Sequence, residues 1–280
     1  MNKKNSPQHI RVQKWLANKG VASRREIDGW IKESRLKING VMVTPGDRLH
    51  EAATVHSVDL DGAPLHLTTN TRELIDYSKK TTELYGICYK PSRVLVSRRC
   101  QGGKTTIYDL PHVKKFCQQV PSGFIPYVGR LDYLSEGLIL LTTDGKIAEY
   151  LTHPKYRVPK IYIIALPQEL TYAQIKTIRN GMVLDDGPVD GVSFQATECP
   201  SYLQGVTDDP SHQDSLNKKL YWYKIVLYQG RKRLIRRMLK NVKVSSVVRL
   251  IRIQKAGLKL PKDLSSGALL EITREHIKLK

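Results

Sequence analysis

Asp132 follows the strand-like run Val128–Leu131, and the next apolar run opens just after Gly137. That spacing puts a carboxylate in a short polar loop between two strands, where rigid flanks can hold a functional side chain still. Such a carboxylate can cap an Asx turn, pair with a cation, or act as nucleophile or base. In KIYIIAL, Lys160 and Tyr162 are two residues apart and so share one face of a strand. The third chemically suggestive stretch is GRKRLIRRMLKNVKVSSVVRLIRI: from Arg231 to Lys262 there are twelve basic residues and no acidic one. On a helix starting near Lys232, Leu234, Ile235, Met238 and Leu239 form the buried stripe. Arg233, Arg236, Arg237 and Lys240 then project elsewhere, as expected of a surface that tracks phosphates. An ordinary solvated face would have acids interspersed.

The whole chain carries the same bias. Its 280 residues hold 46 Lys+Arg against 26 Asp+Glu, a net charge of +20, with 40% apolar residues. The apolar content supports a core, and self-repulsion of this size points to a polyanionic partner, nucleic acid above all. Cys88, Cys100, Cys117 and Cys199 make no CxxC pair, which argues against a zinc site or a disulfide framework. The chain carries neither a dinucleotide-type nor a P-loop glycine motif, so no cofactor and no metal are expected. The N-terminal MNKKNSPQHI has no apolar core, and no run reaches the ~18 apolar residues of a membrane span. The expectation is a soluble, cytoplasmic monomer without a membrane partner.

The elements that would position these groups fall into two domains. In residues 1–50 there are eleven Lys+Arg against four Asp+Glu. Val12, Trp15 and Leu16 share a helical face closed by Gly20. Ser23 with Glu26 reads as a capping box before a second helix whose buried stripe holds Ile27 and Ile31. Arg24 and Arg25 start that helix, where positive charge opposes the dipole, so they are read as facing an anion. Asn39-Gly40 and Asp61-Gly62 read as hairpin turns. Residues 69–82 lose apolar periodicity and read as a linker. From residue 83 to 280, candidate strands are LYGICYK, the run into GRL, GLILLTT, KIYIIAL, YWYKIVLY and VVRLIRI, with helical periodicity in KIAEYLTH, TYAQIKTIRNG and RKRLIRRMLKN. ECPSYLQGVTDDPSHQDSLNKK reads as a long surface loop. The fold class is α+β: a small helix-turn-helix plus hairpin domain (1–68), then a domain on a mixed, mostly antiparallel sheet.

QKWLANKGVASRREIDGWIKESRLKINGVMV resembles the alpha-L RNA-binding module first seen in a ribosomal small-subunit protein. That resemblance implies RNA contacts by Arg11, Lys14, Arg24, Arg25, Arg35 and Lys37. KPSRVLVSRR, GRLDYLSEGLILLTTDG, THPKYRVPKIYII, LDDGPV, GRKRLIRRM and VVRLIRI, in this order, resemble ribosomal-RNA pseudouridine synthases of the RsuA and RluB type, nearest the large-subunit RluB branch. The resemblance implies that Asp132 is the catalytic aspartate, Tyr162 the tyrosine that stacks on the target base, and Arg236 the cation paired with Asp132. Arg237 is the alternative for that pairing. Leu250 would pack beneath the site, Arg130 would help shape the aspartate's loop, and Lys160 would support Tyr162. Arg231, Arg233 and Lys240 would bind RNA. The implied partner is ribosomal RNA, large-subunit favoured, naked or in an assembly intermediate. Departures from the family pattern are Leu234 in place of a glutamine, RRCQGG after the KP block, and a glycine displaced to Gly257.

Overall fold

A computed structural model describes residues 9–19, 21–22, 24–50, 54–65, 83–120, 122–190, 192–204, 219–244 and 246–278. Gly20, Ser23, the linker 69–82 and residues 205–218 of the long loop lie outside the described residues. The chain divides into two compact units, Met1–Thr81 and Thr82–Lys280.

The first unit begins with β1 (His9–Arg11), α1 (Val12–Asn18) and α2 (Arg24–Lys32). Short strands follow: β2 (Leu36–Ile38), β3 (Val41–Met42), β4 (Arg48–His50), β5 (Val58–Leu60) and β6 (Ala63–Pro64). Helical spacing aligns Val12 with Leu16 and Ile27 with Ile31, and all four are buried against Leu36, Ile38, Val43 and Val58. The sheet runs β3-β2-β5-β6, and β1 pairs with β4. Both tight turns hold two successive positive φ angles, Asn39 (49°) with Gly40 (78°) and Asp61 (56°) with Gly62 (80°). That geometry matches the right-handed strand twist and is tolerated best by Asn, Asp and Gly.

In the second unit a nine-stranded sheet is built from β7 (Tyr85–Lys90), β8 (Tyr127–Val128), β9 (Glu136–Thr142), β10 (Lys160–Leu166), β13 (Ser193–Thr197), β14 (Tyr221–Leu227), β15 (Arg249–Lys255), β16 (Leu258–Lys259) and β17 (Leu269–Ile272). The order is β13-β14-β10-β15-β9-β7-β17, with β16 on β15 and β8 on β9. Every pairing is antiparallel except β9 with β15. Both faces are covered. Leu138 and Leu140 pack with Ile147 and Leu151 of α4 (Gly145–Thr152), while Ile139 and Leu141 pack with Val113 and Phe116 of α3 (Pro111–Cys117). Farther along that second face, Ile164 and Leu250 lie under α5 (Tyr172–Asn180) and α6 (Leu234–Asn241). Period-2 alternation explains this split: successive strand residues point to opposite faces.

Two readings need correction, and one element carried no sequence signal. Helix α6 starts at Leu234, not near Lys232, because Arg233 takes a left-handed backbone (φ 51°) that ends any helix before it. The long loop is not all surface: Ser201–Leu203 forms a 3-10 turn, and Leu203 is buried. The hairpin of β11 (Met182–Leu184) and β12 (Gly187–Val189) arises within LDDGPV, too short for a periodic signal.

Candidate active site

Asp132 sits in the loop between β8 and β9, directly after Leu131, which is buried with Ile139 and Leu141. Irregular backbone leaves carbonyls without ladder partners, and those buried in the protein need donors. Four basic side chains supply them here. Lys255 Nζ donates to Val128 O (2.9 Å), and Arg252 Nη1 donates to Arg130 O (3.3 Å). Lys90 Nζ reaches Ser135 O (2.6 Å), Tyr133 O (3.3 Å) and Pro91 O (2.6 Å). Arg236 Nη2 donates to Leu134 O (3.0 Å). Arg252 Nε and Nη2 both converge on Leu138 O, at 2.9 and 2.7 Å. The loop backbone is thus fixed on both sides of Asp132, whose half-buried carboxylate lies in the field of Arg236 and Lys90.

Two glycines make the loop possible. Gly129 has φ +73°, and a Cβ there would lie 2.9 Å from Lys255 Nζ. Gly137 has φ +102°, and a Cβ would collide with the backbone oxygen of Arg252 across the parallel β9–β15 contact. At Gly137 the collision with backbone demands glycine; at Gly129 the positive φ favours it, while the Lys255 amine is the movable end of a flexible side chain.

Tyr162 stands at the seam of the two clusters on one sheet face, packed against the group containing Leu131 and the group containing Leu250. Leu250 is buried beneath α6 in the latter. Tyr162 thus bridges the cluster holding Leu131, the residue before Asp132, and the cluster beneath α6 holding Leu250. Arg236 does not form an ion pair with Asp132 here. It holds the carbonyls of Leu134 and, at 3.5 Å, Val247, while its Nε is buried without a partner among the described residues. Burial weakens the hold of Arg236 on its proton, and the negative charge of Asp132 works against that. Arg237 cannot take over the pairing: it is bound to Asp185 and Asp186 at the turn of the β11–β12 hairpin.

The remaining residues divide by what already holds them. Arg231 is tied to Asp186 (2.7 Å) and to the carbonyls of Gly187 and Pro188. Arg35 is clamped by Asp61 and Glu33, so its guanidinium is committed inside the first unit. Lys160 Nζ caps the carbonyls of Val158 (3.1 Å) and Tyr228 (3.3 Å); burial, helped by Arg252, pushes its pKa down to about 8. Arg130 contributes its carbonyl, and its side chain is exposed. Arg11, Lys14, Arg24, Arg25, Lys37, Arg233 and Lys240 are exposed.

The run from Arg231 to Lys262 is accordingly not one phosphate-tracking face. Arg249, Arg252 and Lys255 are buried in the sheet, and Arg231 and Arg237 are neutralised by acids from a distant hairpin. Arg249 pairs with Glu136 (2.7 Å), both fully buried, and donates to Leu203 O (2.8 Å). Sequence reasoning missed Lys90, Arg252 and Lys255 as parts of the site. The available signal was basic residues within the strand runs LYGICYK and VVRLIRIQK, whose two faces are both covered. Burial depresses the pKa of Lys90 to about 7 and that of Lys255 well below its ordinary value. Leu234, the departure from a glutamine, is buried in the α6 core.

Residues 85–241 match the family model described as RNA pseudouridylate synthase, and residues 10–55 match the S4 domain. The chain is 32% identical over 270 residues to ribosomal large subunit pseudouridine synthase B of Pseudomonas aeruginosa, covering 95% of this chain and 60% of that one. It is 33% identical over 263 residues to the protein of the same name from Yersinia pestis, covering 94% and 72%. A solved pseudouridylate synthase covers 95% of this chain and 97% of its own, with a TM-score of 0.57 at 21% identity, which supports the shared fold. The chain belongs to the RNA pseudouridylate synthase family, in the RsuA and RluB group, with an S4 domain ahead of the synthase domain. It spans about three fifths of the length of the Pseudomonas relative. Among the described residues no helix is long and apolar enough to cross a membrane.

Proposed function

We propose that this chain isomerises a uridine of large-subunit ribosomal RNA to pseudouridine, acting as a monomer on naked RNA or on an assembly intermediate. The observation that carries the reading is the half-buried carboxylate of Asp132, held on a backbone whose carbonyls are clamped by Lys90, Arg236, Arg252 and Lys255. The reaction breaks the C1′–N1 bond, turns the base, joins C1′ to C5, releases the C5 proton and protonates N1. An ionised Asp132 can open it by attacking C1′ or by removing the C2′ proton. The uridine must leave its stack to react, at a cost of a few kcal/mol. Stacking on Tyr162, supported below by Leu250, and phosphate contacts by exposed Arg233 and Lys240 would offset that cost. In this reading the first domain (1–68) supplies RNA affinity through Arg11, Lys14, Arg24, Arg25 and Lys37, residues 69–82 link it to the synthase domain (83–280), and Arg35 serves structure.

The test is incubation with unmodified large- and small-subunit RNA, then carbodiimide mapping by primer extension. One new stop in the large-subunit RNA is expected, and no stop in either RNA refutes the reading. Asp132→Asn should abolish the stop while leaving RNA affinity within about twofold, since it removes charge from the reacting centre and no phosphate contact.

A further inference from the structure

Arg252 is 2% exposed and lies between the two strands that carry the site. Its backbone is in register with Tyr162 on β10 and with Gly137 on β9. Its guanidinium binds Arg130 O with Nη1 and Leu138 O with Nε and Nη2. Arg130 lies in the loop that presents Asp132, two residues before it, and Leu138 lies three residues into β9, the strand that leaves it, so the guanidinium spans the two feet of the loop. Among the described residues no carboxylate forms an ion pair with Arg252, whereas its strand neighbour Arg249 has Glu136. Burying an unpaired guanidinium is costly, and an apolar residue would fill a strand position without that cost. Packing alone therefore does not account for an arginine here.

We propose that Arg252 is a positioning residue for Asp132: its planar fork ties both feet of the loop to the strand beside Tyr162 and so sets the distance between carboxylate and stacked base. This rests on Asp132 being the reacting group. The geometry demands a fork. A lysine carries one donor centre at the end of a flexible stem and cannot straddle the two carbonyls as a guanidinium does. A small displacement of a reacting group is enough to lower turnover strongly while binding persists. Gly137 serves the same arrangement, because any side chain there would push β15, and Arg252 with it, away from β9.

The experiment compares full-length wild type, Arg252→Lys, Arg252→Ala and Asp132→Asn for single-turnover rate, KM, RNA affinity by filter binding, and melting temperature. Arg252→Lys should lose roughly tenfold or more in rate with KM and RNA affinity within about twofold. Arg252→Ala should regain part of its lost rate when guanidinium ions are added, and none with ammonium at equal ionic strength. If Arg252→Lys turns over like wild type while Asp132→Asn is dead, the clasp is refuted and the reading of Asp132 stands. Activity in Asp132→Asn removes the foundation of both. If both Arg252 variants lose folding or RNA binding in step with rate, and guanidinium restores nothing, Arg252 serves stability alone and the proposal is overturned.

Discussion

Lys90 is fully buried, bonded to three carbonyls, and its pKa is pushed down to about 7 from 10.5 by desolvation, with Glu136 and Asp132 limiting the fall. The folded state thus resists a proton that the unfolded chain accepts. Stability should rise with pH from about 7 towards 10.5, by about 1.4 kcal/mol per pH unit for each such lysine once it is neutral in the fold. The penalty is complete below the folded value and disappears above the unfolded one. Lys160, depressed to about 8, adds to the slope. Cys88, raised to about 12 by burial, opposes it only above the ordinary thiol value of 9.0. Urea unfolding at stepped pH between about 7 and 9 isolates the lysine effect. Lys90→Met should remove close to one proton from the slope there, and an unaltered slope would show that Lys90 keeps its charge in the fold.

At the scale of elements, β9 and β15 are the pair on which the site depends. They are the one parallel pairing in the nine-stranded sheet, and a crossover of more than a hundred residues separates them in the chain. The buried Glu136–Arg249 pair stands at that seam, one residue from Gly137. Removing the carboxylate leaves a guanidinium buried without its counter-charge. Glu136→Gln is therefore expected to cost about 3–5 kcal/mol in chemical denaturation. A loss below about 1 kcal/mol would mean that the Leu203 carbonyl and Tyr89 hydroxyl suffice for Arg249. The β11–β12 hairpin is fastened differently. Asp185 and Asp186 hold Arg231 and Arg237 through partly exposed ion pairs, which contribute little to stability individually but fix where these arginines point.

For the whole molecule, a net charge of +20 favours a polyanionic partner more than it sets the fold, and in the proposed function that partner is RNA. Phosphate contacts release counterions, so RNA affinity should fall steeply with salt. Arg24 and Arg25 are exposed on the first turn of α2 in the S4 domain. Replacing both with alanine should lower the slope of log affinity against log salt by about 1 to 2. The measurement is fluorescence anisotropy across a salt series, and an unchanged slope would remove this pair from the RNA contacts. Arg35→Ala should leave the slope nearly unchanged, because Asp61 and Glu33 already occupy that guanidinium.

Local pattern alone made the two-part organisation, the hairpin turns at Asn39-Gly40 and Asp61-Gly62, the main strands and the loop position of Asp132 legible. Each rests on interactions within a few residues: turn chemistry, period-2 alternation, helical stripes. Which cations are already held inside the protein and which stay exposed was not legible, because that choice belongs to distant partners. Arg231 and Arg237 are answered by a hairpin some fifty residues away, and Arg249 by a glutamate on another strand. Lys90, Arg252 and Lys255 turn inward because the loop around Asp132 leaves carbonyls that lack a ladder. A basic strand residue looks the same in sequence whether it meets solvent or a buried carbonyl. Only the closing of the sheet, which decides what lies opposite each face, separates the two.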